Sequence, residues 1–292
     1  MNVLSTAFTA ADGQEIIVWQ WPQQRGRPTL HWAHATGFHG RTYRPLLDEL
    51  AEDYNVLAWD MRGHGVSARA GRLDRFRGWP TYYDDLCALI ASSDEPIWLA
   101  GHSIGATTSI MAAARLPERV SGLILAEPVI LARWHSLQLG AAKRLKQSHR
   151  FGLAAGAIRR RPYFASHGEV IERYRGRGAF RSWPTPWLEA YVEHGFVNDG
   201  AGVRLACAPE WESATFAHTE HNAWPSIRKL RCPVIAMGAS HASTFAPTSR
   251  QRLKALLPSA EVSTVANSSH FLPMEHPQAV VDAVHRLLRK KR

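Results

Sequence analysis

The most reactive arrangement in the chain is Gly101-His102-Ser103-Ile104-Gly105. It follows the strand-like run Ile97 to Ala100 and opens Ile104 to Arg115, a stretch of small residues that reads as a helix. A tight strand–turn–helix junction lifts a serine hydroxyl to the carboxyl edge of a sheet, and the flanking glycines let strand and helix close on one another. Ser103 is therefore the candidate nucleophile. A serine hydroxyl attacks only when a base takes its proton, and the base needs a carboxylate to orient it. Where this turn occurs, the histidine comes last in chain order, after the final strand. Strand-like Glu261 to Val265 is followed by Ala-Asn-Ser-Ser-His-Phe-Leu-Pro, which makes His270 the candidate base. His241 follows an earlier strand, and His276 abuts Pro277 at a helix start.

The carboxylate is less obvious. Its usual place is the loop after the strand Val234 to Met237, but that loop, Gly238 to Thr244, contains no Asp or Glu. The preceding strand, Gly122 to Ala126, ends instead in Glu127-Pro128. Proline cannot continue a hydrogen-bond ladder, so the strand should stop with Glu127 at the same carboxyl edge. An acid there is costly to bury without a partner, which makes Glu127 the candidate for orienting the base.

An oxyanion hole needs two amide donors. One is the N–H of the residue after the nucleophile, Ile104; the other should come from the loop His34 to Gly40, with Thr36 as donor. His31, His34 and His39 in that region match no standard metal spacing, and His218 and His221 lack an H-E-x-x-H frame. No metal and no cofactor is expected.

These residues need a sheet to hold them. Gln14 to Trp21, Thr29 to Ala33, Tyr54 to Trp59, Ile97 to Ala100 and Gly122 to Ala126 read as strands, with helices over Arg41 to Leu50, Tyr82 to Ile90 and Ile104 to Arg115. From Pro233 the rhythm returns, with helices over Thr248 to Leu257 and Pro277 to Arg289. Alternation of this kind predicts a parallel sheet covered on both faces. Between Pro128 and Trp224 no strong strand run is visible, so the expected organisation is core 1–128, a helical cap 129–224, and core 225–292.

The 292 residues suffice for one large domain with an insertion, and 45% apolar content excludes a disordered chain. Three cysteines without a CxxC pair argue against a disulfide framework or a cysteine–zinc site and favour a reducing, cytoplasmic setting. No signal peptide or membrane-spanning run is expected, hence no stable membrane insertion. The net charge of +10 is concentrated between Pro128 and Ala190, where twelve Lys and Arg meet three acids. No recognition motif accompanies them, so a solvated basic face is preferred over a nucleic-acid surface.

HATGF at 34–38, DMRGHGVS at 60–67, GHSIG at 101–105 and SSHFLPMEHP at 268–277 together resemble the α/β-hydrolase superfamily over nearly the whole chain. The resemblance implies a mostly parallel eight-stranded sheet with helices on both faces and a helical cap after strand 6. It also implies a structural role for Asp60 and Arg62. An acid 24 residues after the nucleophile, followed by a cap, looks like the haloalkane dehalogenase and epoxide hydrolase branch. Those enzymes carry Asp where this chain has Ser103, which disfavours their aspartyl-ester chemistry.

The expected activity is thus that of a serine esterase acting on a small to medium, largely apolar ester-like molecule through an acyl-enzyme. The alternatives are a lactonase or carbon–carbon bond hydrolase with the same triad, a perhydrolase side activity, and a non-catalytic ligand-binding homologue. Cap aromatics, including Phe151, Phe164, Trp183, Trp187 and Phe196, are candidates for lining the pocket. A homo-oligomer is compatible with the sequence.

Overall fold

The computed structural model describes residues 1–132, 152–219 and 222–289. Eight strands form one sheet: β1 (Leu4–Thr9), β2 (Glu15–Gln20), β3 (Thr29–Ala33), β4 (Asn55–Trp59), β5 (Ile97–His102), β6 (Val120–Ala126), β10 (Val234–Ala239) and β11 (Glu261–Val265). Their spatial order is β1-β2-β4-β3-β5-β6-β10-β11. β2 runs antiparallel to β1 and β4, and the remaining pairs are parallel.

Both faces are buried, and the period of two along each strand assigns the side chains. Trp98, Ala100, Ile124, Ala126, Ile235 and Met237 pack with Leu46, Leu47 and Leu50 of α1 (Arg44–Leu50) and Val280, Val284 and Leu288 of the C-terminal helix (Pro277–Arg289). Their neighbours Ile97, Leu99, Leu123, Leu125, Val234 and Ala236 face Leu86 and Ile90 of α2 (Trp79–Ala91) and Ile110 of α3 (Ile104–Arg115). Continuous apolar runs such as IWLA are the signature of strands covered on both sides.

Strand β1 has no sequence counterpart among the predicted runs. It is an edge strand of mostly exposed residues, LSTAFT, held by pairing from Leu4 with Gln20 to Thr9 with Glu15, so it carries no core-facing pattern.

The segment between β6 and β10 departs from the all-helical expectation. It contains α4 (Gly152–Ala157), α5 (His167–Tyr174), α6 (Thr185–Gly195), α7 (Pro209–Ala217) and α8 (Trp224–Ile227). It also contains a three-stranded antiparallel sheet of β7 (Tyr163–Phe164), β9 (Gly202–Leu205) and β8 (Phe196–Asp199). These strands are two to four residues long, too short to show periodicity. The legible signal was the turn: Asp199-Gly200 joins β8 to β9, with Gly200 in the left-handed region at φ 59°. Trp134, Phe151, Arg133, Lys143, Arg144, Lys146, Arg150 and His221 lie outside the described residues.

Candidate active site

Ser103 sits between β5 and α3 at φ 56°, ψ −120°, a conformation that L-residues avoid. Two glycines make it attainable. A Cβ on Gly105 would lie 2.1 Å from the Ala33 carbonyl oxygen, and one on Gly101 would lie 2.7 Å from the Gly105 backbone. The turn is held to the sheet by the Ser103 amide, which donates to Ala126 O at 3.1 Å.

The three residues picked from the sequence meet here. His270 Nε2 lies 3.0 Å from Ser103 Oγ, and His270 Nδ1 lies 3.1 Å from Glu127 Oε2. With Nδ1–H donating to the carboxylate, Nε2 is free to accept the serine proton. Glu127 is fully buried at the end of β6, in the left-handed region at φ 49°. Burial pushes its pKa up, but hydrogen bonds from His270, Ser243 and Ala239 outweigh this and hold the carboxyl below its ordinary value. His241 and His276, the rival histidines, bond instead to Ser240 and to the Asn267 carbonyl.

The acid-free loop after β10 supplies donors in place of an acid. Ala239 N–H and Ser243 O–H donate to Glu127 Oε1 at 2.5 and 2.6 Å, and Thr244 N–H donates to Oε2 at 2.9 Å. Thr244 Oγ1 also lies 3.3 Å from His270 Nδ1. Arg250 fixes this loop by donating to Ala239 O and Ser243 Oγ. The sequence clue was a loop without Asp or Glu but with Ser and Thr at its far end.

A second support went unread. Tyr43 hydroxyl accepts the Ala35 N–H at 3.1 Å and lies 2.7 Å from His102 Nδ1; His102 Nε2 lies 2.7 Å from the His270 carbonyl oxygen. A carbonyl only accepts, so Nε2 carries the proton and Nδ1 accepts from Tyr43. Burial, with the neighbouring His270, pushes the His102 pKa down to about 3, so the ring stays neutral. One hydroxyl and one imidazole thus tie the loop before Thr36, the serine turn and the His270 loop together.

Thr36 and Ile104 both border the serine. Thr36, Ser103 and His270 line one cavity of about 880 Å³. In the loop after β3, the amides of Ala35, Phe38, His39 and Gly40 already donate to Tyr43, Ala35, Thr42 and Asp60. Among the described residues no protein acceptor takes the Thr36 amide, and Ile104 N–H opens α3, where helical amides are unpaired.

The other singled-out residues have structural partners. Asp60 accepts from Gly40, Trp19 and Val66, while burial raises its pKa. Arg62 forks onto Asp85 and Asp12. His34 bridges Ala35 O and Met61 N, His39 bonds Tyr191 O in α6, and His31 packs edge-on against Trp59. Among the described residues no group of three His, Cys, Asp or Glu is placed to hold a metal.

Of the named cap aromatics, Phe164 lines the cavity, whereas Trp183, Trp187 and Phe196 pack against Phe38, Tyr43 and Tyr191. In the basic segment the partly buried Arg160 lines the cavity, and Arg161, Arg173 and Arg177 border it while remaining exposed.

A mostly parallel sheet covered on both faces, with a serine on the turn after its central strand, is the arrangement of the alpha/beta hydrolase fold. The chain belongs to the alpha/beta hydrolase family, whose model matches residues 32–283. It is 21% identical to 2-(acetamidomethylene)succinate hydrolase of Mesorhizobium japonicum over 260 residues, 88% of this chain and 86% of that one. It is 34% identical to rat monoglyceride lipase over 145 residues, 46% of this chain and 47% of that one. Its match to a Bacillus subtilis hydrolase likewise spans about half (49%) of that relative. The solved structure of E-2-(acetamidomethylene)succinate hydrolase superposes with TM-score 0.83 at 19% identity, covering 99% of this chain and 100% of that one. Among the described residues no helix is long and apolar enough to cross a membrane.

Proposed function

We propose that the protein is a serine hydrolase cleaving carboxylic esters or related acyl bonds. The observation that carries the reading is His270, bridging Ser103 at 3.0 Å and Glu127 at 3.1 Å. Ser103 Oγ attacks the carbonyl while His270 Nε2 takes its proton, and Glu127 stabilises the imidazolium without taking the proton itself. The amides of Ile104 and Thr36 receive the oxyanion, where loss of one donor typically costs about 10²–10³ in kcat. Collapse expels the alcohol, which leaves with the proton from His270. Water, deprotonated by the same nitrogen, then attacks the acyl-enzyme and returns Ser103 to its resting state.

Residues 1–128 and 225–292 act in this reading as the catalytic core, with 129–224 as a cap roofing the cavity. A volume of about 880 Å³ suits a small to medium molecule, and Phe164, Phe180, Phe216 and Phe271 supply apolar wall. A sequence with three cysteines and no CxxC pair supports a reducing, cytoplasmic setting.

The test is hydrolysis of p-nitrophenyl esters from acetate to laurate by wild type and Ser103→Ala, with fluorophosphonate labelling of both. Turnover and labelling that both vanish in the variant are expected. Labelling without turnover redirects the search to lactones and carbon–carbon substrates; the absence of both sinks the hydrolase reading.

A further inference from the structure

The cavity wall carries four guanidiniums and one carboxylate, Arg160, Arg161, Arg173 and Arg177 against Glu212. Two of the four are committed. Arg160 donates to Glu212 Oε2 at 2.6 Å and to Tyr191 hydroxyl at 2.9 Å. Arg161 pairs with Glu169 at 2.9 Å and lies over the Phe164 ring. Arg173 and Arg177 have no ion-pair partner among the described residues. Arg173 belongs to α5 and Arg177 to the turn after it, four residues on. Between them Tyr174 stacks on Phe180, with ring centroids 4.7 Å apart and planes 8° from parallel.

An apolar wall flanked by two uncommitted guanidiniums, in the cavity that holds the serine, has a definite chemical complement. We infer that the substrate bears an anionic group, a carboxylate, at the end remote from the scissile bond, received by Arg173 and Arg177 while its apolar body lies along Tyr174 and Phe180. This rests on the acyl-hydrolase reading above. Guanidinium forks match carboxylate geometry, and a cavity of one sign concentrates ligands of the other. Glu212 does not cancel the attraction, because its charge is already met by Arg160 at 2.6 Å. Gly37 allows that pair to approach the loop bearing Thr36: a Cβ there would lie 2.5 Å from Glu212 Oε1.

The experiment compares monobenzyl glutarate with its neutral analogue benzyl methyl glutarate, which share the same benzyl ester. Binding is measured by calorimetry on Ser103→Ala, so affinity is read without turnover. The anionic ester should bind at least about tenfold more tightly, with the gap narrowing as salt rises. Adding Arg173→Gln and Arg177→Gln should abolish the gap, and Arg173→Lys with Arg177→Lys should restore part of it. Equal affinity for the two esters, or a preference that survives both glutamines, would overturn the proposal. Benzyl alcohol release by the wild type tests the hydrolase reading separately. A binding preference without turnover leaves the anion site standing, and turnover without preference leaves the hydrolase standing.

Discussion

Replacing Glu127 with glutamine puts the site's charge arrangement to a quantitative test. The carboxylate has only acceptors, and each oxygen faces a backbone amide: Oε1 faces Ala239 N–H at 2.5 Å, and Oε2 faces Thr244 N–H at 2.9 Å with His270 Nδ1 at 3.1 Å. A glutamine must turn its NH2 toward one side. Turned toward Oε1's partners it opposes Ala239 N–H; turned the other way it opposes Thr244 N–H and forces His270 into the wrong tautomer. Either choice leaves a buried donor unpaired, worth about 1–3 kcal/mol. Melting should therefore fall by a few degrees without loss of fold. Turnover should suffer far more, because an imidazolium without its carboxylate has lost orientation and charge compensation; the comparable change in a serine protease lowers kcat about 10⁴-fold.

The pH dependence carries a sign. The folded pKa of Glu127 lies below its ordinary 4.5, so its bonds stabilise the native state fully above that value and are lost as pH falls through the lowered one. The stability gap between wild type and Glu127→Gln should thus be constant near neutrality and shrink below pH 4.5. Ester hydrolysis at pH 7.5, together with melts at pH 7.5 and in acid, reads all three quantities. A variant that is folded yet turns over within threefold of wild type would refute the assignment of Glu127.

Tyr43→Phe removes the hydroxyl shared by Ala35 N–H and His102 Nδ1, so melts should show a loss of about 1–3 kcal/mol for each group left unpaired. The same variant should lower kcat more than it raises KM, because the His270 loop loses its anchor; an unchanged kcat would count against that linkage. Buried histidines set the acid limit of the fold: burial pushes His31 and His102 down to about 3 and His39 and His64 to about 4, while the unfolded chain protonates near 6.5. The unfolded state binds more protons between these values, so urea unfolding should show stability falling from pH 6.5 toward pH 4, by up to about 1.4 kcal/mol per pH unit for each ring. Gly105→Ala places a methyl 2.1 Å from Ala33 O, between backbone atoms that cannot yield, and soluble expression should fall sharply. A soluble, fully active Gly105→Ala protein would contradict the packing of the serine turn.

What could be read from the sequence follows the range of the interactions. Ser103 and His270 announce themselves through neighbours within a few residues, and Glu127 through Pro128 and an acid-free loop. The groups that hold Glu127 do not, since Ser243 and Thr244 lie more than 110 residues away. Tyr43 reads as one apolar position on a helix face, yet it serves as a junction because His102, 59 residues on, lies beside it. Charge in the cap could be counted, but whether an arginine meets water or borders a cavity depends on how separate elements pack, as for Arg173 on α5 and Arg177 in the turn after it.

The deepest regularity was visible only in three dimensions. Two adjacent parallel strands, β5 and β6, run straight into residues with positive φ, Ser103 at 56° and Glu127 at 49°. Each such residue costs about 1–2 kcal/mol, and each is clamped by the same device. Ser103 N–H extends the ladder onto β6 by donating to Ala126 O, and Glu127 N–H extends it onto β10 by donating to Met237 O at 2.8 Å. The register that pairs His102 with Ala126 and Met237 with Ala126 therefore sets two members of the proposed triad one rung beyond the last paired residues. A one-residue slip between these strands would reverse every side chain and bury Ser103 and Glu127 on the wrong sides. The strand pairing that builds the core thus also places the proposed site, because the sheet's own hydrogen bonds end at the residues proposed to react.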